Sequence, residues 1–181
     1  MNEVVDFINV NRDRYVEELK QYLAIPSVSA LPEHAGDVRR AAEWTADALR
    51  AAGLENVRLI ETPGNPVVYG DWLHAPSTSS GQAAPTILFY GHYDVQPVDP
   101  LELWESDPFA PKIVEDGDGR KVISARGAAD DKGQLMTFVE ACRAWKKVTG
   151  RLPIPVTVLL EGQGVHLPII MKGGRFVKNA L

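Results

Sequence analysis

The chain has 181 residues, 45% of them hydrophobic and 24% charged, which is typical of a soluble globular domain with one core. Its net charge of −5 and pI near 5.4 argue against nucleic-acid binding, which normally needs a basic surface. No apolar run reaches the length of a membrane span, and the first residues lack the regions of a secretory signal. The single cysteine cannot form an internal disulfide. We therefore expect a cytoplasmic protein with no nucleic-acid or membrane partner.

The first half of the chain predicts two helices followed by two short strands. Apolar residues recur at three- and four-residue spacing over residues 2–24 and again over residues 36–52, the period of a helix with one buried face. Pro26 ends the first pattern, and Gly53 ends the second. Residues 56–61 and 66–72 read as strands because a Thr-Pro-Gly-Asn turn separates them. A Ser-, Gly-, Pro- and Ala-rich loop is expected over residues 74–84.

Residues 86–90, Thr-Ile-Leu-Phe-Tyr, predict a central strand that is buried on both faces of a covered sheet. Gly91 follows it, and then a His-x-Asp pair formed by His92 and Asp94. Open α/β sheets hold their ligands outside the carboxyl ends of their strands. We therefore look for a functional site immediately after this strand.

The spacing of His92 and Asp94 has a chemical interpretation. Residues two apart in extended backbone point to the same side, so the Asp94 carboxylate can orient the imidazole through one ring nitrogen while the other binds a metal. The alternative is that the histidine only caps a loop, since His-x-Asp pairs also occur by chance.

The second half of the chain predicts a hairpin, a helix and another central strand. Strands at 112–115 and 121–124 bracket an Asp-Gly-Asp-Gly turn, which lacks the length and the closing glutamate of a calcium loop. A helix follows, capped by Asp131 with Gln134 three residues later, and Cys142 on its apolar face is expected to be a buried structural thiol. Residues 153–161 form the last strand.

The loop before the helix has two adjacent carboxylates, Asp130 and Asp131. Its glycines do not fit the pattern of a phosphate-binding loop, and paired aspartates would repel a phosphate. Two carboxylates at this place suit a cation better. A pure capping role would account for one of them only.

Three stretches together carry a family resemblance: residues 91–97, residues 104–111, and residues 125–133. In this order and spacing the chain resembles, over residues 1–163, the carnosinase-like dipeptidases of the aminoacylase and carboxypeptidase-G metallopeptidase family. The resemblance implies an α/β fold, namely a three-layer α/β/α catalytic domain with a mixed sheet, and a lid and dimerisation domain inserted later. It also implies two divalent metals, zinc with manganese or cobalt as alternatives, a dipeptide or N-acyl amino acid substrate, and a homodimeric parent enzyme.

The resemblance carries over residue by residue at three positions. His92 matches the first metal-ligating histidine, Asp94 matches the catalytic carboxylate that orients it, and Asp130 matches the aspartate that bridges both metals. Asp131 follows Asp130 across what is a cis peptide in the family. Two metals that share a water lower its pKa, and a glutamate then takes its proton.

The sequence departs from the family where that glutamate is expected. The family pattern after the last strand is Glu-Gly-x-Glu-Glu, but here Glu161-Gly162-Gln163 is followed by Gly164 and Val165. We divide the chain into residues 1–163, the amino-terminal part of a catalytic domain, and residues 164–181, an atypical tail without acidic residues. The tail is explained by a frame change, an alternative end or a prediction artefact at residue 163. His166 within it is interpreted as incidental.

Two hypotheses for this chain follow. The first is an inactive part of a metal-dependent amide hydrolase, with weak or no metal binding because the base and later ligands are missing. The second is a non-catalytic short isoform that works through a partner.

Overall fold

The computed structural model describes residues 2–74, 84–163, 169–172 and 175–178. The helices are α1 (Asn2–Val10), α2 (Arg12–Leu23), α3 (Ala35–Ala51) and α4 (Lys132–Thr149), with single 3-10 turns at Pro32–His34 and Leu101–Leu103. The strands are β1 (Glu55–Ile60), β2 (Val67–Trp72), β3 (Ile87–His92), β4 (Lys112–Glu115), β5 (Lys121–Ser124), β6 (Val156–Glu161), β7 (Ile169–Lys172) and β8 (Arg175–Lys178).

Four strands form one mixed sheet in the order β1-β2-β6-β3. β6 runs antiparallel to β2 and parallel to β3, and it is buried along its length except at the partly exposed Thr157. Its Val-Thr-Val-Leu-Leu sequence suits a strand with neighbours on both sides because β-branched and apolar residues fill both faces. The predicted α/β class with a mixed sheet is confirmed.

Helices α3 and α4 cover the same face of this sheet. Gly70, Val158 and Phe89 are lateral neighbours in three adjacent strands and therefore share a face. Leu49 of α3 lies beside Gly70, and Phe138 of α4 stacks on Phe89 with ring centroids 3.8 Å apart. The core thus lies between one helical layer and one face of the sheet.

The opposite face of the sheet is open at β3. Leu88 is 40% exposed and Tyr90 is 54% exposed. Among the described residues β3 pairs only with β6 and forms an edge of the sheet, so the prediction of a central strand buried on both faces is wrong at this position. β6, which was also predicted to be central, does have a neighbouring strand on each side.

The predicted first helix is also wrong in one respect, because Asn11 interrupts it. The side-chain amide of Asn11 donates a hydrogen bond of 2.8 Å to the carbonyl of Phe7, so a side chain competes with the helical backbone pattern at this residue. The chain therefore forms α1 and α2 as separate helices. The other predicted helices and strands agree with the structure to within a few residues, and the loop predicted over residues 74–84 lies almost entirely outside the described residues.

The predicted hairpin is formed by β4 and β5, with Glu115 opposite Lys121. The Asp116 carboxylate accepts hydrogen bonds from the backbone N–H groups of Asp118 and Arg120, at 3.0 and 2.9 Å. The acidic residue thus closes the turn, as predicted. Within the described residues, no helix is both long enough and apolar enough to cross a membrane.

Candidate metal centre

The backbone that follows β3 is fixed from two sides. The N–H of Tyr93 donates to the carbonyl of Glu161 at 2.8 Å, and the N–H of Val95 donates to the carbonyl of Ser27 at 2.9 Å. Residues 92–95 are therefore held between the end of β6 and the loop after α2. This arrangement brings His92 and Asp94 to the carboxyl edge of the two parallel strands.

Asp94 is buried, with 2% of its surface exposed, and both of its carboxylate oxygens are engaged. Oδ1 lies 3.1 Å from Nδ1 of His92, and Oδ2 accepts a hydrogen bond from the hydroxyl of Ser29. Nδ1 of His92 therefore donates to Asp94, and Nε2 points away from Asp94. The sequence offered no signal for Ser29, which lies in a distant Ser-Val-Ser loop.

Nε2 of His92 lies 3.0 Å from Oδ1 of Asp130, so the structure brings together the three site residues named from the sequence. The hydrogen bond to the Asp94 carboxylate, with a further contribution from Asp130, raises the pKa of His92 to about 9 despite its partial burial. In the metal-free protein the imidazole is thus a cation held between two carboxylates. A metal at Nε2 would have to displace that proton.

Asp131 has a different role from the predicted helix cap. Its side chain makes no capping hydrogen bond to α4; instead Oδ2 accepts the backbone N–H of His92 at 3.1 Å. The side-chain amide of Gln134 donates to the carbonyl of Ala129, whereas in a capping box its side-chain oxygen would accept the backbone N–H of Asp131. The Asp130–Asp131 peptide bond is cis, and the two neighbouring carboxylates contact different atoms of the same histidine.

Gly91 is required by this contact. A Cβ atom added at Gly91 would lie 2.6 Å from Oδ2 of Asp131, far closer than van der Waals contact. The glycine that ends the apolar run therefore lets the Asp131 carboxylate approach the strand.

A second polar pair lies beside His92 and was not identified as part of the site from the sequence. Glu161 is the lateral neighbour of His92 at the end of β6 and is 2% exposed. The hydroxyl of Tyr90 donates a hydrogen bond to the Glu161 carboxylate. This bond and burial raise the pKa of Tyr90 above its ordinary range.

The donors fit a divalent metal in type but not in number. Imidazole nitrogen and carboxylate oxygen are both good ligands for zinc, which usually takes four ligands in proteins. The described part of the chain contains no group of three or more His, Cys, Asp or Glu residues placed to hold one metal ion. Gly164, Val165 and His166 lie outside the described residues.

Comparison with known proteins shows similarity to one peptidase family and to several dipeptidases. Residues 88–163 match the model of peptidase family M20/M25/M40. The chain is 29% identical over 168 residues to the Cys-Gly metallodipeptidase DUG1 of Candida albicans, covering 90% of this chain and 34% of that protein. It is 34% identical over 153 residues to the cysteinylglycine-S-conjugate dipeptidase of Corynebacterium striatum, covering 84% of this chain and 31% of that protein. Over residues 88–163 the chain is thus similar to peptidase family M20/M25/M40.

A solved structure of a dipeptidase supports this similarity. Human carnosine dipeptidase 1 superposes with a TM-score of 0.77 at 28% identity, over 91% of this chain and 35% of that chain. The chain thus spans about a third of the length of the relatives that it matches. The predicted resemblance is confirmed at the level of the family, while the roles of His92, Asp94 and Asp130 stay predictions.

The Ser29 hydrogen bond gives a first testable prediction. Ser29→Ala leaves one oxygen of the buried Asp94 carboxylate without its donor, so we expect a loss of about 1–3 kcal/mol in the free energy of unfolding. Urea unfolding followed by circular dichroism measures it. Ser106→Ala, at a half-buried serine in the loop before β4, is the control and is expected to change stability by less than about 0.5 kcal/mol. Equal losses in both variants would contradict a specific role for Ser29.

Proposed function

We propose that this chain corresponds to the amino-terminal part of the catalytic domain of a metal-dependent hydrolase that cleaves the amide bond of a dipeptide or N-acyl amino acid. The observation that carries the proposal is the 3.0 Å contact between Nε2 of His92 and Oδ1 of Asp130, with Asp94 on the other ring nitrogen. This is the arrangement of a metal-ligating imidazole whose orientation a carboxylate fixes. The M20/M25/M40 relatives include enzymes named for dipeptide hydrolysis.

Each residue then has a proposed role. His92 and Asp130 are metal ligands, with Asp130 shared between two metals, and Asp94 orients His92. Zinc is the proposed metal, with manganese or cobalt as alternatives, because mixed imidazole and carboxylate sites accept all three. The parent enzyme is proposed to be a cytoplasmic homodimer. Residues 1–163 carry the part of the catalytic domain, and residues 164–181 form the tail.

The 181-residue chain by itself is proposed to be inactive or nearly so and to bind metal weakly or not at all. The described residues bring only one imidazole and one exposed carboxylate together at the site, and no group of three ligands. A sequence of Gly164 and Val165 replaces the two glutamates of the family pattern. We therefore expect no dipeptide hydrolysis above the blank when the purified chain is incubated with dipeptides and zinc, manganese or cobalt. Metal-dependent hydrolysis that His92→Ala abolishes would overturn this expectation.

A chimera tests the proposal in the positive direction. Residues 1–163 are joined to the remaining part of the Corynebacterium striatum dipeptidase, which supplies the portion of the relative that the chain does not match. We expect metal-dependent dipeptidase activity from the folded chimera and its loss, by at least a thousandfold, in the His92→Ala and Asp130→Ala forms. A folded, metal-loaded chimera whose activity is unchanged by both substitutions would refute the proposed roles.

A second candidate function is a non-catalytic protein that works through a partner. The observation in its favour is the open face of β3, where Leu88 and Tyr90 are 40% and 54% exposed. Apolar surface of this kind is usually covered by another protein segment. A monodisperse particle with tight stoichiometric metal favours this function, whereas an insoluble chain contradicts it.

A further inference from the structure

Lys132, the first residue of α4, is buried to an extent that is rare for a lysine. Its exposed fraction is 0%, and it is among the largest fully buried side chains of the chain. Burial lowers the pKa of Lys132 to about 7. Lysine is almost never fully buried unless its nitrogen is paired, because removing an ammonium from water is strongly unfavourable.

The partners of the lysine nitrogen are backbone carbonyls where α2 ends. Nζ donates to the carbonyl of Tyr22 at 3.1 Å and to that of Ile25 at 2.8 Å, and it lies 4.8 Å from the centre of the Tyr22 ring. The last carbonyls of a helix have no donor within the helix, and the helix dipole makes this end attractive to a cation. An amine has two hydrogens, so both bonds survive if the nitrogen loses its extra proton. The side chain therefore connects the start of α4 to the end of α2.

Lys132 directly follows the two aspartates of the site. On one side Asp131 accepts the N–H of His92, and on the other Lys132 is held by α2. The Asp130–Asp131 segment is thus fixed between β3 and α2. The lysine stem lies close to Gly127, at which an added Cβ would be 3.5 Å from Cδ of Lys132 and 2.7 Å from the Val95 side chain, so the loop that carries Asp130 also packs on it.

We propose that Lys132 is a positioning residue, which anchors α4 to the carbonyls of Tyr22 and Ile25 at the end of α2 and thereby holds the Asp130–Asp131 segment against His92. This deepens the proposed function, since the carboxylate it positions is the one proposed as a shared metal ligand. A residue that only filled the core could be apolar. Two directed hydrogen bonds instead fix both the position and the direction of the first turn of α4.

Hydrogen exchange in the metal-free full-length chain tests the proposal through the His92 amide, whose acceptor is Asp131. Lys132→Met keeps the length and apolar stem of the side chain and removes the donors. We expect the protection of the His92 amide to fall at least tenfold relative to that of Val158 in the central strand, which reports on the stability of the whole fold. Lys147→Met, an exposed lysine on the same helix, is the control and is expected to leave this ratio unchanged.

Two outcomes would overturn the proposal. One is a parallel loss of protection at His92 and Val158, which means that the lysine only stabilises the fold. The other is full protection of the His92 amide in a folded Lys132→Met chain. If the Lys132→Met chain is too unstable for exchange, Lys132→Arg and Lys132→Gln, which retain donors, are compared by the chemical shift of the His92 amide. A variant whose donor reaches the end of α2 is expected to keep the wild-type shift, and a variant whose donor does not reach it is expected to lose that shift. The readout needs neither metal nor substrate, so its failure and that of the proposed hydrolase function remain distinguishable.

Discussion

Arg143→Met is expected to lower the free energy of unfolding by about 3–5 kcal/mol, because it leaves the buried Glu140 carboxylate with the more distant Arg14, at 3.9 Å, as its counter-ion. Nη1 of Arg143 lies 2.7 Å from Oε2 of Glu18 and 3.2 Å from Oε1 of Glu140. Arg143 and Glu140 are 7% and 6% exposed. Burial already raises the pKa of Glu140 to about 7, and Glu18 contributes to the rise. Arg143 is thus the main cation that offsets the buried negative charge of Glu140 where α2 packs on α4.

Urea unfolding at about pH 8.5, where Glu140 is largely ionised in the wild type, measures the effect. Arg50→Met is the matched control, since Arg50 forms an exposed ion pair with Asp47 on α3 and is expected to contribute no more than about 1 kcal/mol. Adding Glu140→Leu to Arg143→Met removes an uncompensated charge and is expected to restore part of the loss. A loss for Arg143→Met as small as that for Arg50→Met would show that the cluster is better hydrated than the structure indicates.

The second large effect is a pH dependence of stability that originates at His92. The contact with Asp94 raises the pKa of His92 from 6.5 to about 9 in the folded chain. A raised histidine pKa gives stability that is fully present below about pH 6.5 and is lost as the pH rises through about 9. We expect wild type to lose about 2–3 kcal/mol relative to His92→Gln between about pH 6 and about pH 9.5.

The comparison with His92→Gln is needed because another group acts in the opposite direction. The lowered pKa of Lys132 makes the folded chain more stable as the pH rises above about 7. That contribution is present in both proteins and cancels in their difference. The measurement is urea unfolding at a series of pH values with a chelator present, since a bound metal would replace the imidazole proton. A difference that does not change with pH would contradict the charged, doubly bonded imidazole.

Local pattern was sufficient for most of the elements and for the named site residues. The hairpin around Asp116 and the helix after Asp131 follow from turn residues and helical periodicity, which depend on neighbours in sequence. His92, Asp94 and Asp130 could be named from two motifs, the His-x-Asp pair after a strand and the Asp-Asp pair in the loop before α4. Together with the family resemblance, these motifs point to one edge of the sheet. Each of these inferences uses residues that are close together in the chain or a motif that is specific to the family.

The tertiary structure alone decided what each of those residues contacts. Strand order placed β6 in the centre and β3 at the described edge, although both sequences are equally apolar, because lateral pairing depends on partners far away in the chain. Asp131 binds the His92 backbone instead of capping α4, and Ser29 completes the environment of Asp94 across 65 positions. No sequence pattern pointed to Lys132, yet two carbonyls more than 100 positions away make its burial possible. The sequence therefore determined the elements and the chemistry of the site, while long-range hydrogen bonds determined its geometry, since their partners have no fixed spacing along the chain.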